Sequence, residues 1–178
     1  RYERLACISN GHLYNLRGHK TYQAKRGSFD KTRPAKVNIG ERRKPFPNGQ
    51  PGYLRVDSVH QGDLDGIKGV YLINAVDEVT QFQAVFAVEH ISEAYLLPVL
   101  EAMMDAFPFV IRGFHSDNGS EYINHKVAKL LKKLLIEQTK SRSRQTNDNA
   151  LAESKNASTV RKYLGYSHIP QHCASHVN

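Results

Sequence analysis

The chain is 178 residues long, 40% apolar and 24% charged, enough to bury one sizeable core with some chain left over. Nothing in it approaches the ~18 consecutive apolar residues of a membrane span, no signal-peptide pattern opens it, and two cysteines at opposite ends, Cys7 and Cys173, argue against a disulfide framework. The net charge of +8 is lopsided, since residues 1–50 hold twelve Lys or Arg against three acids and residues 51–178 hold thirteen against fourteen.

These features predict a cytoplasmic protein with no membrane partner, built as a basic arm on a near-neutral globular body. It begins at Arg1 and ends on a polar run, so it is expected to be a piece of a longer protein. The arm reads either as a solvated tail or as a binder of polyanions. Tyr14, Tyr22 and Phe29, interleaved with its cations, favour nucleic acid. Its candidate contacts are Lys20, Lys25, Arg26, Arg42, Arg43 and Lys44.

In chain order, residues 9–11 read as a turn and 12–17 as a short helix with Leu13 and Leu16 inside. Residues 18–52, rich in Lys, Arg, Gly and Pro, keep neither periodicity and read as an extended linker. YLRVDSVH (53–60) alternates as a strand does. GVYLINAV (69–76) and FQAVFAVE (82–89) are two more strands, close enough together for an antiparallel hairpin. Ser92 is a good N-cap for a helix over 93–107, in which Leu96, Val99, Leu100, Met103 and Phe107 recur at helical spacing and Pro98 marks a kink or a late start. A fourth strand is expected over 109–114. Asn124 then caps a helix with Val127, Leu130, Leu131 and Leu134 inward, followed by a short strand over 135–139. Residues 141–148 are polar and irregular, and a last helix runs from about 149 to 164. A meander followed by strands alternating with helices predicts an α/β fold, a mixed sheet with helices packed on it.

Asp117, in HSDNGSEY (115–122), falls where the fourth strand ends and a glycine lets the backbone turn. Alone, it is an ordinary turn residue. Asp57 lies inside the first strand, where a carboxylate is costly unless compensated, so it is either on an edge or engaged in chemistry. On the last helix, 100° per residue puts Asn149, Glu153, Ala157, Val160 and Leu164 on one stripe, with Leu151, Lys155 and Lys162 opposite. Glu153 is therefore expected to face the sheet, either beside the two aspartates or in a buried ion pair with Arg55 or Arg112. Three carboxylates converging at one edge of the sheet, with no cation to hold them, call for a divalent metal. Oxygen-only ligands favour magnesium or manganese, and two such ions suit in-line displacement at a phosphodiester.

VDSVH at Asp57, HSDNGSEYIN at Asp117 and NDNALAESKN at Glu153 resemble the signature of the DDE transposase and retroviral-type integrase catalytic core, and within it the bacterial insertion-sequence transposases. The 35 residues between Asp117 and Glu153 match the separation in that branch. The resemblance covers about residues 53–166. It implies a ribonuclease H-like fold with a five-stranded mixed sheet. It also implies metal ligation by Asp57, Asp117 and Glu153, with two Mg2+ or Mn2+ ions per site, and cleavage and joining of double-stranded DNA by a homo-oligomer in a bacterial cytoplasm. By the same resemblance Asn118 and Gly119 shape the turn behind Asp117, Asn149 touches DNA, and Arg142 and Arg144 on a mobile loop contact phosphates. The division it implies is the tail of a helix-turn-helix (1–17), a basic linker (18–52), the catalytic core (53–166) and a C-terminal tail (167–178). The chain departs from retroviral integrases in lacking their amino-terminal zinc module. Ala157 and Val160 also stand where those proteins often carry basic DNA contacts.

Two other readings stay open. A ribonuclease H-like nuclease that only hydrolyses would need a fourth carboxylate, from Glu93 or Glu101, and a DNA-binding remnant would need no assembled trio. Asp63, Asp65 and Asp77 read as turn residues, and His60 and His115 as ordinary polar positions or helpers of proton transfer. His168, His172, Cys173 and His176 form only a weak zinc pattern, broken by Pro170.

Overall fold

The computed structural model describes residues 8–21 and 37–178. Cys7, Tyr22, Lys25, Arg26 and Phe29 lie outside the described residues, as do the side chains of Leu13 and Glu93. The short N-terminal helix is α1 (Asn10–Leu16), capped by the Ser9 hydroxyl, which accepts from the His12 N–H at 3.2 Å. Leu16, expected inside, is exposed.

The meander forms as the alternation predicts. β2 (Tyr53–His60) pairs antiparallel with β3 (Tyr71–Asp77), which pairs antiparallel with β4 (Gln83–Val88). Asp77, expected as a turn residue, closes the β3–β4 turn by accepting the Val79 and Thr80 N–H groups and the Thr80 hydroxyl on Oδ2. Its Oδ1 accepts the Gly52 and Tyr53 N–H groups, so this buried carboxylate also ties the turn to the start of β2. A buried acid is tolerable here because five donors compensate it.

The sheet has six strands rather than five, in the order β1-β6-β5-β2-β3-β4. β5 (Gly113–Ser116) lies parallel to β2, β6 (Glu137–Lys140) parallel to β5, and the extra strand β1 (Glu41–Arg42) parallel to β6. β1 comes out of the basic segment read as linker. Two residues are too short to leave any periodicity, and only an available edge gives them strand geometry. The fourth strand starts at Gly113 rather than at 109 because the apolar residues before it pack instead of pairing. Phe107 and Phe109 pack their rings, tilted or edge-on, against each other and against Phe82, and Ile111 enters the core. β6 begins late because Leu135, at φ 57° and almost fully exposed, turns the chain out of the preceding helix.

Helices cover both faces. α2 (Glu93–Asp105), with Pro98 inside it, and α3 (His125–Lys133) pack on the face that carries Leu54, Val56, Ile73 and Phe114. Leu96, Leu100 and Met103 are buried there, each worth about 2 kcal/mol of apolar burial. Asn124 caps α3 as expected, accepting from the Lys126 and Val127 N–H groups, a contact worth about 1 kcal/mol. Leu134 is the C-cap of α3 and is exposed, not inward.

The opposite face carries Val59, Leu72, Val85 and Ala87 under the last helical stretch. That stretch is not one helix. A 3-10 turn (Thr146–Asn149) leads into α4 (Ala150–Lys155), which passes through a π-helical turn (Asn156–Val160) into α5 (Arg161–Leu164). The segment expected as a C-terminal tail joins this layer. Ile169 and Ala174 pack into the same cluster, and the Asn178 amide exchanges two hydrogen bonds with Ala87 on β4. α6 (Ala174–Val177) thereby closes over part of the β4 edge. The result is a mixed α/β sheet flanked by helices, consistent with a ribonuclease H-like fold.

Candidate active site

β2 and β5 are parallel neighbours whose last register pair is Val56 with Ser116. Asp57 and Asp117 each follow that pair by one residue, so strand spacing alone brings them side by side. Asp117 leaves the strand and turns, its Oδ1 accepting the Gly119 N–H at 2.9 Å. Asn118 gives its amide to the Ser141 carbonyl, tying the turn to the loop after β6. Asp57 stays in the strand, half-buried, with Oδ1 accepting the Ser58 N–H and Oδ2 accepting the Asn156 amide at 2.6 Å.

Burial pushes the Asp57 carboxyl up from 3.8 to about 6, and the negative charges of Asp117 and Glu153 push the same way. The Ser58 and Asn156 donors oppose the shift without cancelling it. Asp57 therefore feels the charges of the other two acids. Arg55, on the same sheet face, does not relieve them, because it gives its buried guanidinium to Glu78 (2.6 and 2.9 Å) and to the Asp148 carbonyl. This removes Arg55 from the ion-pair alternative for Glu153, since its partner is Glu78, and both Glu153 and Arg112 are exposed, so neither makes a buried pair.

Glu153 does not face the sheet as expected. It is exposed: Asn149 and Val160 face inward as expected, but between them Ala152 and Asn156 take the places expected for Glu153 and Ala157. The displacement has a local cause. The 3-10 entry and the π turn change the residues per turn on either side of α4, so a uniform 100° step misplaces the stripe. Glu153 stands at the rim, within the field of Asp57 but outside the core. Among the described residues no group of three His, Cys, Asp or Glu side chains is gathered closely enough to hold a metal ion as it stands. The donor set nonetheless suits a hard cation: all oxygen, mutually repelling, with Asp57 and Asp117 on rigid adjacent strands.

The loop over 141–148 is held by its own end. Asp148, buried, accepts the Arg142 N–H and a two-pronged contact from the Arg142 guanidinium at 2.8 and 3.0 Å. Arg142 keeps Asp148 well below the usual carboxylate range. Arg142, expected at a phosphate, is thus already engaged, whereas Arg144 is exposed at φ 61°. Asn149, expected to touch DNA, is buried instead and donates to the Val56 carbonyl. It braces β2 directly before Asp57. His115 is buried between Thr139 and Ser141 and, desolvated, falls to about 3. It is a neutral structural side chain at physiological pH. His60 stacks on Tyr71, with Nε2 3.1 Å from Asp63.

Of the arm residues, Arg43 pairs with Glu41 and Glu137, Lys20 and Lys44 are exposed, and Arg42 reaches Ser143 Oγ at 3.3 Å. Arg42 is in register with Lys140, itself opposite Ser116, so β1 carries the arm to the strand end where Asp117 sits. Glu101 is exposed on α2, the helix on the other face from Asp57. His168 Nε2 meets the Ile67 carbonyl at 3.0 Å.

Sequence reasoning missed Asn156, Asn74 and Glu121. Asn74 is a polar residue inside an apolar strand, the same signal that marked Asp57. Glu121, buried, lays its carboxylate against Gly119 behind the Asp117 turn.

Paired carboxylates at the ends of parallel neighbours, a helix carrying a third acid and a basic edge beside them make up the candidate site. The comparison with known proteins makes this specific: residues 48–146, just over half of the chain, match the Integrase core domain, and the chain belongs to that family. At family level this carries polynucleotidyl transfer as the class of chemistry. The chain is also 30% identical over 120 residues to the uncharacterized protein y4rM of Sinorhizobium fredii, an alignment that takes in 67% of this chain and 34% of that protein. It therefore spans about a third of the length of this relative. No helix among the described residues is long and apolar enough to cross a membrane.

Proposed function

We propose that the chain is the catalytic part of a bacterial insertion-sequence type transposase, which cuts DNA at the ends of its element and joins the freed ends to target DNA. The observation that carries the reading is the pair Asp57 and Asp117 at adjacent parallel strand ends, with Asp57 raised by burial and further by the charges of Asp117 and Glu153. Asp57, Asp117 and Glu153 would hold magnesium or manganese. When bound, two such ions supply activation of the attacking oxygen and stabilisation of the leaving one.

The residues of the chain divide the remaining work. Asp57 and Asp117 offer fixed oxygens, because each carboxylate is pinned by a backbone N–H. Glu153, exposed on α4, completes the set by a side-chain rotation. Among the described residues Arg42, Lys44 and Arg144 form no ion pair with a carboxylate and are exposed, so they are the cations offered to phosphates. Residues 18–52 serve as the track for the DNA backbone, residues 1–17 as the end of a helix-turn-helix, and two DNA ends imply a homo-oligomer on DNA. Hydrolysis without joining is the weaker reading, since Glu101 lies on the wrong face for a fourth ligand.

The test is a strand-transfer assay on duplexes that reproduce the ends of the element, with magnesium. Asp117→Asn and Glu153→Gln are expected to lower both cleavage and joining at least ~100-fold while leaving DNA binding intact. Full activity in either variant would contradict the mechanism, and cleavage without any joined product would favour the nuclease.

A further inference from the structure

A chain of side-chain hydrogen bonds crosses the sheet beneath the last helix and ends on Asp57. The Thr159 hydroxyl donates to Gln83 Oε1 (3.0 Å), and the Gln83 amide donates to Asn74 Oδ1 (2.8 Å). The Asn74 amide donates to Asn156 Oδ1 (2.7 Å), and the Asn156 amide donates to Asp57 Oδ2 (2.6 Å). Asn74 is the direct cross-strand partner of Asp57 and is fully buried, and Gln83 follows on β4.

Every bond in the chain runs the same way, and two acceptor-only groups make that direction obligatory. The Ala152 carbonyl takes the other hydrogen of the Asn74 amide (3.2 Å), so Asn74 must turn its oxygen to Gln83. At the far end an ionised Asp57 can only accept, so Asn156 must turn its nitrogen to it. Thr159, where the chain starts, and Asn156, its last link before Asp57, both sit on the π turn (Asn156–Val160).

We propose that Asn156 is the positioning residue of Asp57, aimed by Asn74, Gln83 and Thr159. This rests on reading Asp57 as a metal ligand. With Oδ1 on the Ser58 N–H and Oδ2 on Asn156, the carboxylate plane is fixed while each oxygen keeps a lone pair for an ion. The neighbours of a ligand typically govern metal affinity by about 10–100-fold, and here the governing group is itself held by a string of amides.

The experiment is calorimetric titration of the intact chain with manganese, alongside thermal melting without metal, for the parent and for Asn156→Ala, Thr159→Val and Asp57→Asn. Asn156→Ala is expected to weaken manganese binding about tenfold or more. Thr159→Val, which keeps shape and removes only the far donor, is expected to weaken it about threefold with an unchanged melting temperature. If both bind manganese within twofold of the parent while Asp57→Asn does not bind, the positioning role is overturned and the metal reading stands. A lowered melting temperature in Asn156→Ala with unchanged affinity would likewise overturn it, as a purely structural role. If Asn156→Ala fails to melt cooperatively, Thr159→Val decides. Parent-like binding by Asp57→Asn would instead overturn the metal reading.

Discussion

Asp57 carries a cost that the folded chain pays only when that carboxyl is ionised. Its folded value of about 6 against 3.8 means that the native state binds more protons than the unfolded one between those limits. Stability therefore falls as pH rises through that window, and the loss is complete above about pH 6. Allowing for its partial exposure, the cost is on the order of 2 kcal/mol. Asp57→Asn keeps an acceptor for Asn156 and removes the charge. Without metal it is expected to unfold at higher denaturant than the parent at pH 8, with most of that advantage gone by pH 4. A variant less stable than the parent at pH 8 would show that neither burial nor the charges of Asp117 and Glu153 raise Asp57. The same repulsion is what a bound cation would relieve, so stability at one residue and metal affinity are two readings of one field.

At the scale of elements, the approach to β2 depends on Gly52. Its φ is +107°, an added Cβ would meet the Val110 carbonyl, its N–H goes to Asp77, and its carbonyl accepts from Arg112 and Gly113. Gly52→Ala is expected to cost about 3 kcal/mol in denaturant unfolding, because both the backbone conformation and the contact forbid a side chain. A loss under 1 kcal/mol would mean that the β2 entry yields more easily than this geometry allows. Elements also show where the sequence was legible. The meander, the Asn124 cap and the acids at Asp57 and Asp117 followed from alternation, capping chemistry and strand-end position, all of which are local. The two-residue β1 was not, because pairing with β6 creates it. Nor was the facing of Glu153, because 3-10 and π turns break the even step from which a helical stripe is read. The bonds that Asn149 and Arg142 make were not legible for a related reason: the buried acceptors they satisfy, the Val56 carbonyl and Asp148, lie far from them in sequence or across a loop.

For the molecule as a whole, the uneven charge becomes a spatial statement. β1 lays Glu41 and Arg42 along β6, so Arg42 and Lys44 stand beside the strand ends that carry the acids. If both touch phosphates, replacing the pair by alanine is expected to reduce the salt slope of DNA binding by about 2, since each phosphate contact contributes about 0.9. An unchanged slope would place the DNA elsewhere. The central claim is that Asp57, Asp117 and Glu153 together hold a divalent metal, and anomalous diffraction from a crystal soaked in manganese tests it most directly. The account predicts a manganese peak about 2.1 Å from oxygens of both Asp57 and Asp117, with the Glu153 side chain rotated in from the rim towards it. A fully soaked crystal with no peak between the two aspartates would contradict it.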